Sequence, residues 1–138
     1  MKAYRLKRAD VDSEVSRLQS ALSTGTTEDR EEAAIELGQR GQASAVAPLA
    51  QALADSDVEV RQAAIESLVE VGGADSARAL EVALRDTDPR IREAAVNALG
   101  DIGGAMAIDL LQQAQADEIA FVRQAAAETL DQLGGAAR

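Results

Sequence analysis

The chain has 138 residues, 24 of them acidic and 14 basic, and it contains neither histidine nor cysteine. Without these two residue types it can form no zinc finger, no cysteine nucleophile and no Ser-His-Asp relay, so we expect no metal, no cofactor and no enzymatic activity. No apolar run approaches the roughly 20 residues that span a bilayer, and no signal-peptide pattern follows Met1. We therefore expect a cytoplasmic protein with no membrane association.

The net charge of −10 is unevenly distributed. Four of the 14 basic residues lie within the first eight positions, so residues 9–138 hold ten basic and 24 acidic residues, a net charge of −14. Such a surface repels phosphate backbones, and the chain has only one Phe, one Tyr and no Trp on which bases could stack. Nucleic acid is therefore not an expected partner. A proteome-wide excess of carboxylates is an alternative explanation of the acidity, and it stays open.

Four residue columns recur every 31 positions along the chain. They are Arg30, Arg61, Arg92 and Arg123; Ala33, Ala64, Ala95 and Ala126; Leu37, Leu68, Leu99 and Leu130; and Gly41, Gly72, Gly103 and Gly134. A fixed period between 20 and 50 residues predicts a stack of small units, each of which buries its apolar face against its neighbours.

The first two units each contain two amphipathic segments with apolar residues at helical spacing. The first helix is predicted over residues 11–23, and Thr26 is the predicted N-cap of the second. In the second unit, Val46, Leu49, Ala52 and Leu53 predict one helix, and residues 60–71 predict another that ends at Gly72.

The third unit shows the same pattern most clearly. Its first helix is predicted over residues 76–85, and the second begins at Pro89 after the N-cap Asp88 and ends at Gly103-Gly104. In the fourth unit Ile108, Leu111 and Ala114 predict a helix, followed by one over residues 122–133 that ends at Gly134. Four helix pairs therefore fill the chain from about residue 10 to residue 134.

The run Asp-x-Asp-Pro-x-Ile-Arg-x-Ala-Ala-x-x-Ala-Leu-Gly-x-Ile-Gly, from Asp86 to Gly103, resembles the HEAT repeat. It is most similar to the short repeats of the phycobilisome-lyase HEAT-like type. The resemblance implies an all-α, right-handed α-solenoid of four helix pairs. We expect residues 1–138 to be a single domain with a basic N-terminal segment at residues 1–9 and repeats at about residues 10–41, 42–72, 73–103 and 104–134.

The resemblance also implies roles for two sets of residues. In such stacks the repeated Arg reaches the Asp of the neighbouring inter-helix turn, and Asp55, Asp86 and Asp117 have the required spacing. The second helices line the concave surface, where partners are usually held. Carried onto this chain, the variable positions of that surface are Glu28, Glu31, Ile35, Glu59, Gln62, Glu66, Arg90, Glu93, Asn97, Phe121, Gln124 and Glu128.

These positions suggest a non-enzymatic interaction module that binds a basic segment of another protein. Glu28, Glu31, Glu59 and Glu66 would form the charged end of the surface, and Phe121 would be its apolar anchor. A solvated acidic face and a Phe121 packed against the last repeat are the structural alternatives.

Two further functions remain open. Relatives among the phycobilisome lyases imply an accessory subunit of a bilin lyase-like enzyme, although the surface offers few aromatics and little basic charge for a bilin. The other possibility is self-association of a fragment of a longer array, with Tyr4 and Leu6 folded over the first helix pair. We expect a monomer or a weak homodimer.

HEAT-like hydroxylases hold a di-iron centre with His-Glu motifs, which a chain without histidine lacks.

Overall fold

A computed structural model describes the backbone of residues 8–135 and the side chains of residues 13–134. Most of the basic N-terminal segment, including Tyr4 and Leu6, lies outside the described residues. The described part is all-helical, with eight α-helices and two short 3₁₀ turns at Ala43–Ala45 and Ala83–Arg85. The α-helices are α1 (Arg8–Thr24), α2 (Thr27–Arg40), α3 (Val46–Ala52), α4 (Val58–Val71), α5 (Gly73–Ala79), α6 (Pro89–Ile102), α7 (Gly104–Ala114) and α8 (Ala120–Gly135).

The helices form two layers of an α-solenoid. The second helix of each pair packs on the next, in the order α2, α4, α6 and α8, and α1, α3, α5 and α7 pack in sequence behind them. Contacts also join α1 to α2, α3 to α4, and α7 to α8. This arrangement confirms the predicted fold, in which each pair is covered by its neighbours rather than by one central core.

The predicted helix starts are confirmed where a polar side chain caps the helix. Thr26 and Asp29 form a reciprocal capping box at α2, with N···O distances of 3.1 and 3.2 Å. Asp88 Oδ1 accepts a hydrogen bond from the amide of Arg90, and Pro89 occupies the first turn of α6. Asp57 caps α4 in the same way.

The prediction was wrong at two places. The helix expected over residues 76–85 begins at Gly73 and ends at Ala79. Beyond Ala79 most backbone hydrogen bonds reach only three residues back, as the amide of Glu81 does to the carbonyl of Arg78 and that of Arg85 does to the carbonyl of Val82. Gly134 does not end α8, which continues through it to Gly135.

Glycine pairs connect the second unit to the third and the third to the fourth with no intervening loop. Gly103 has a φ of +69° and closes α6, and Gly104, at +87°, is the first residue of α7. Gly72 and Gly73 make the same junction between α4 and α5, at +70° and +84°. Because L side chains rarely adopt these values, glycine is needed at both positions of each junction.

The leucine column forms the core between the two layers. Leu37, Leu68 and Leu99 are completely buried, whereas Leu130 in the last pair is only partly buried. The column therefore has the same residue in every unit but a different environment at the end of the described stack.

Successive pairs also fit together through residues of matched size. A Cβ at Gly38 would lie 2.5 Å from the Cβ of Ser67, and a Cβ at Gly100 would lie 2.5 Å from Cγ2 of Thr129. Ser67 Oγ donates a buried hydrogen bond of 2.8 Å to the carbonyl of Ala34. The space left by each of these glycines on one helix is thus filled by a side chain of the next helix.

Candidate functional site

The repeated arginines form a ladder that runs from one helix pair to the next. Arg30 Nε and Nη2 donate to Asp55 at 2.8 and 3.1 Å, and Arg92 makes the same fork to Asp117 at 2.7 and 3.1 Å. Arg61 Nε lies 2.8 Å from Asp86 Oδ2 without pointing its N–H at that oxygen, while its Nη2 donates to Oδ1 at 3.4 Å. The predicted architectural role is confirmed for Arg30, Arg61 and Arg92, whereas Arg123, within the described residues, donates only to the carbonyls of Asp117 and Glu118.

The ladder holds two carboxyl groups in their ionised form. Hydrogen bonding from Arg92 lowers the pKa of Asp117 below its ordinary value, against the opposing effect of burial. At Asp55 burial alone would raise the pKa, but the hydrogen bonds from Arg30 and the amide of Asp57 together outweigh it and lower the pKa. The pKa of Arg92 is raised by the same hydrogen bond to Asp117. These charges are satisfied within the protein and are not available to a ligand.

The other side of the second helices carries an open groove of about 520 Å³. It spans three helices, with Glu31 and Ile35 from α2, Val58 to Glu66 from α4, and Asp88 to Ile91 from α6. We call it the acidic groove and define it by its lining residues, which are Glu31, Ile35, Val58, Glu59, Gln62, Ala63, Glu66, Asp88, Arg90 and Ile91. Four acids against one base give this lining a formal net charge of −3.

The glutamates of the acidic groove form no ion pair within residues 13–134, whose side chains the structure describes. Among the described residues, no basic nitrogen lies within 4 Å of a carboxylate oxygen of Glu31, Glu59 or Glu66. Gln62 Nε2 donates a 3.1 Å hydrogen bond to Glu66 Oε1, which orients one carboxylate without removing its charge. The guanidinium of Arg90 likewise contacts no carboxylate in this part of the chain.

The structure brings together six of the twelve variable positions named from the sequence. The six that line the acidic groove are Glu31, Ile35, Glu59, Gln62, Glu66 and Arg90.

Six of the predicted residues do not line the acidic groove. Glu28, Asn97, Phe121, Gln124 and Glu128 are exposed elsewhere, and Glu93 is half-buried. Gln124 Nε2 donates to Glu128 Oε1 at 3.0 Å, which repeats the Gln62–Glu66 pair two units earlier. Phe121 is 43% exposed, so it neither anchors this groove nor packs away fully in the last repeat.

Four lining residues of the acidic groove were not among the positions predicted from the sequence: Val58, Ala63, Asp88 and Ile91. Val58 is the first residue of α4 and is 42% exposed, and Asp88 was interpreted only as an N-cap. The position of Val58 in the other units holds Thr27, Pro89 and Ala120, so a large aliphatic side chain there was a usable signal.

The described residues offer neither a metal site nor a membrane-spanning helix. No group of three or more His, Cys, Asp or Glu side chains is arranged to hold a metal ion within that part of the chain. No helix described here combines the length and the apolar character needed to cross a membrane.

Comparison with solved structures gives similar folds among enzymes and designed proteins. The chain is similar to human deoxyhypusine hydroxylase in complex with glycerol, with 25% identity, a TM-score of 0.76, and coverage of 88% of this chain and 43% of that one. It is also similar to the complex of CpcE and CpcF of phycocyanin lyase from Nostoc sp. PCC7120, with 30% identity and a TM-score of 0.63. That match covers 94% of this chain and 54% of the other, so the chain spans about half the length of these two relatives.

A third similar structure is an engineered protein with 24% identity and a TM-score of 0.57, whose match covers 86% of this chain and 62% of that one. This likeness concerns the fold alone. No curated protein shows significant similarity to the chain. The family model for HEAT repeats matches residues 15–88 and 74–131. The chain therefore belongs to the HEAT-repeat family.

Proposed function

We propose that the chain is a non-enzymatic protein-interaction module that holds a basic segment of another protein in the acidic groove. HEAT repeats generally mediate protein–protein interaction. The observation that supports this assignment is the convergence on one groove of Glu31, Glu59 and Glu66, none of which has a basic partner among the described residues. Unpaired carboxylates attract a cationic segment and accelerate its encounter, and the groove provides the surface for short-range contacts.

Capture from a lysate of the native host tests this function. We expect a basic protein to be retained by the wild type and released by added salt, because surface attraction is screened within about 10 Å at 0.1 M ionic strength. The Glu59→Arg, Glu66→Arg double variant should lose that protein.

A matched control is the Glu70→Arg, Asp101→Arg double variant. It changes the net charge equally at two exposed positions outside the groove, and it should retain the partner. Equal retention by all three proteins would contradict the proposal and direct attention to Phe121 and the ends of the stack.

A second candidate function is an accessory subunit of a bilin lyase-like enzyme. The 30% identity to the phycocyanin lyase complex over 94% of this chain favours it. The test is absorbance after incubating the purified protein with a free bilin. A bound chromophore with a shifted visible band would support this function, and an unchanged spectrum of the free pigment would exclude it.

We further propose a monomer at moderate concentration, with a weak homodimer as the alternative, and the cytoplasm as its location. The absence of cysteine supports this location but does not require it. Sedimentation velocity over a range of concentrations separates the two oligomeric states, since only the dimer gives a mass that rises with concentration.

A further inference from the structure

The acidic groove contains exposed apolar side chains as well as carboxylates. Four large hydrophobic residues are exposed among the described positions: Ile35 at 39%, Val58 at 42%, Phe121 at 43% and Val82 at 51%. Two of the four, Ile35 and Val58, line this one groove. A groove that served only to attract positive charge would not need aliphatic side chains at its surface.

The aliphatic residues come from neighbouring helices and continue into the core. Ile35 lies on α2 and Val58 on α4, and the lining between them and α6 includes Ala63 and Ile91, which are 5% and 2% exposed. The groove therefore has an apolar floor, defined by Ile35, Val58, Ala63 and Ile91. An aliphatic side chain of a bound segment would bury apolar surface against this floor. Little ordering would be required of the floor itself, because the helices already hold it in place.

The polar lining of the groove has two sides of different charge. The α2 and α4 side holds Glu31, Glu59 and Glu66. On the α6 side, Asp88 accepts the amide of Arg90 at 2.8 Å as an N-cap, and the Arg90 guanidinium has no carboxylate within 4 Å in the described part. A segment of uniform positive charge would meet repulsion at Arg90, whereas a carboxylate there would be bound.

We propose that the acidic groove recognises a protein segment in which an aliphatic residue is flanked by Lys or Arg and accompanied by one Asp or Glu. The aliphatic side chain sits on the apolar floor, the basic residues meet the three glutamates, and the acidic residue meets Arg90. This inference rests on the proposed function and specifies its ligand. It also replaces Phe121 by Ile35 and Val58 as the apolar anchor.

The test is selection from a peptide library of one length, displayed on phage, in which the order and spacing of residues are random. The selected peptides are then synthesised with a fluorescent label, and their affinities are measured by anisotropy. We expect enrichment of peptides that contain all three elements. Replacing their aliphatic residue by Ser should weaken binding about tenfold, the scale expected for one buried aliphatic side chain.

Two protein variants assign the elements to their positions. Val58→Ser should remove the preference for the aliphatic residue, and Arg90→Glu should reverse the preference for Glu over Lys at the acidic position of the peptide. Val82→Ser and Arg78→Glu are matched controls, because both replace exposed residues outside the groove and should leave the selected peptides bound.

The outcomes separate this inference from the function on which it rests. Basic peptides that bind through Glu59 and Glu66 but show no dependence on Val58 or Arg90 would overturn the inference and leave the proposed function intact. Peptides whose binding is unaffected by the Glu59→Arg, Glu66→Arg substitutions, or a selection that enriches nothing, would overturn both.

Discussion

The second helices of the four pairs, α2, α4, α6 and α8, have two faces that differ in how regularly their residues repeat. On the face between helix pairs, the same ion pair recurs at each of the three contacts. Arg30, Arg61 and Arg92 each bind the Asp of the next inter-helix turn. On the groove face the residues change from unit to unit, and their charges have no partner in the described part of the chain. The difference indicates that the repeated ion pairs help to hold the stack together, whereas the varying positions of the groove face are the candidates for binding.

The largest expected effect concerns the buried leucine column. Leu99→Ala should lower the free energy of unfolding by about 2–5 kcal/mol, because Leu99 is completely buried between two neighbouring pairs. Leu130→Ala, at the equivalent position of the last pair, should cost less because its side chain is already partly exposed. Urea denaturation of both variants measures the difference, and equal losses would show that the end pair is as tightly packed as an interior one.

A smaller loss is expected from the ladder. Arg92→Ala should destabilise the protein by about 1–3 kcal/mol, because it leaves a half-buried carboxylate of Asp117 without its fork of donors. The pKa of Asp117 is lowered in the folded state, so its contribution is complete above the unfolded value of about 3.9 and is lost as the pH falls through the folded pKa.

Thermal unfolding between pH 7 and pH 2 tests this linkage. The wild type should lose more stability with acid than Arg92→Ala does. Arg78→Ala is a suitable control because Arg78 is 64% exposed and its ion pair with Asp75, at 3.9 Å, is long and weak. Parallel pH curves for wild type and Arg92→Ala would contradict the role of the ladder.

Next in size are the two glycines at the contacts between pairs. Replacing glycine by alanine inside a helix normally stabilises a protein by about 1 kcal/mol. Where the added Cβ would be forced against a neighbouring helix, the overpacking costs about 1–3 kcal/mol. Gly38→Ala should be the worse of the two, because its Cβ would lie 2.7 Å from the backbone Cα of Ser67, whereas at Gly100 the close atom is a methyl group of Thr129.

The Gly100→Ala, Thr129→Ser double variant removes that methyl group and provides the decisive comparison. It should recover the loss caused by Gly100→Ala alone and reach or exceed the stability of Thr129→Ser. No recovery in a thermal melt would mean that the crowding lies elsewhere.

The smallest effect is expected at Ser76, and its sign is opposite. Ser76 is completely buried, and its hydroxyl has no hydrogen-bond partner among the described residues, whereas the equivalent positions of the second and fourth units hold the buried Ala45 and Ala107. Ser76→Ala should raise the free energy of unfolding by about 1 kcal/mol, because it removes a buried polar atom. A loss of stability in denaturant titrations would show that the hydroxyl has a partner.

The sequence allowed most of the fold to be predicted, because caps and core depend on local residue type and on the period. Thr26, Asp88 and Pro89 mark helix starts that the structure confirms. The ends of helices were harder, since α5 ends at Ala79 although the sequence has neither glycine nor proline at or just after that position. Gly134 also matches the glycine column, yet it remains helical at the end of the described stack.

The candidate site was predictable only in part. The variable columns named Glu31, Glu59, Gln62, Glu66 and Arg90, which lie along one groove, but a column by itself cannot show which of its members share a groove. Val58 was missed because it precedes the periodic core, although its side chain joins that of Ile35 in the lining. Whether this groove is the binding surface stays a prediction.

The size-matched contacts have a consequence for how such a chain can change over time. Gly38 faces Ser67 and Gly100 faces Thr129, and the equivalent positions at the middle contact hold Val69 and Ala98. If the units were shuffled so that Thr129 followed Val69, two branched side chains would compete for space that holds one. The repeats therefore share a pattern without being interchangeable, and duplication or recombination within the array would require compensating substitutions at each new junction.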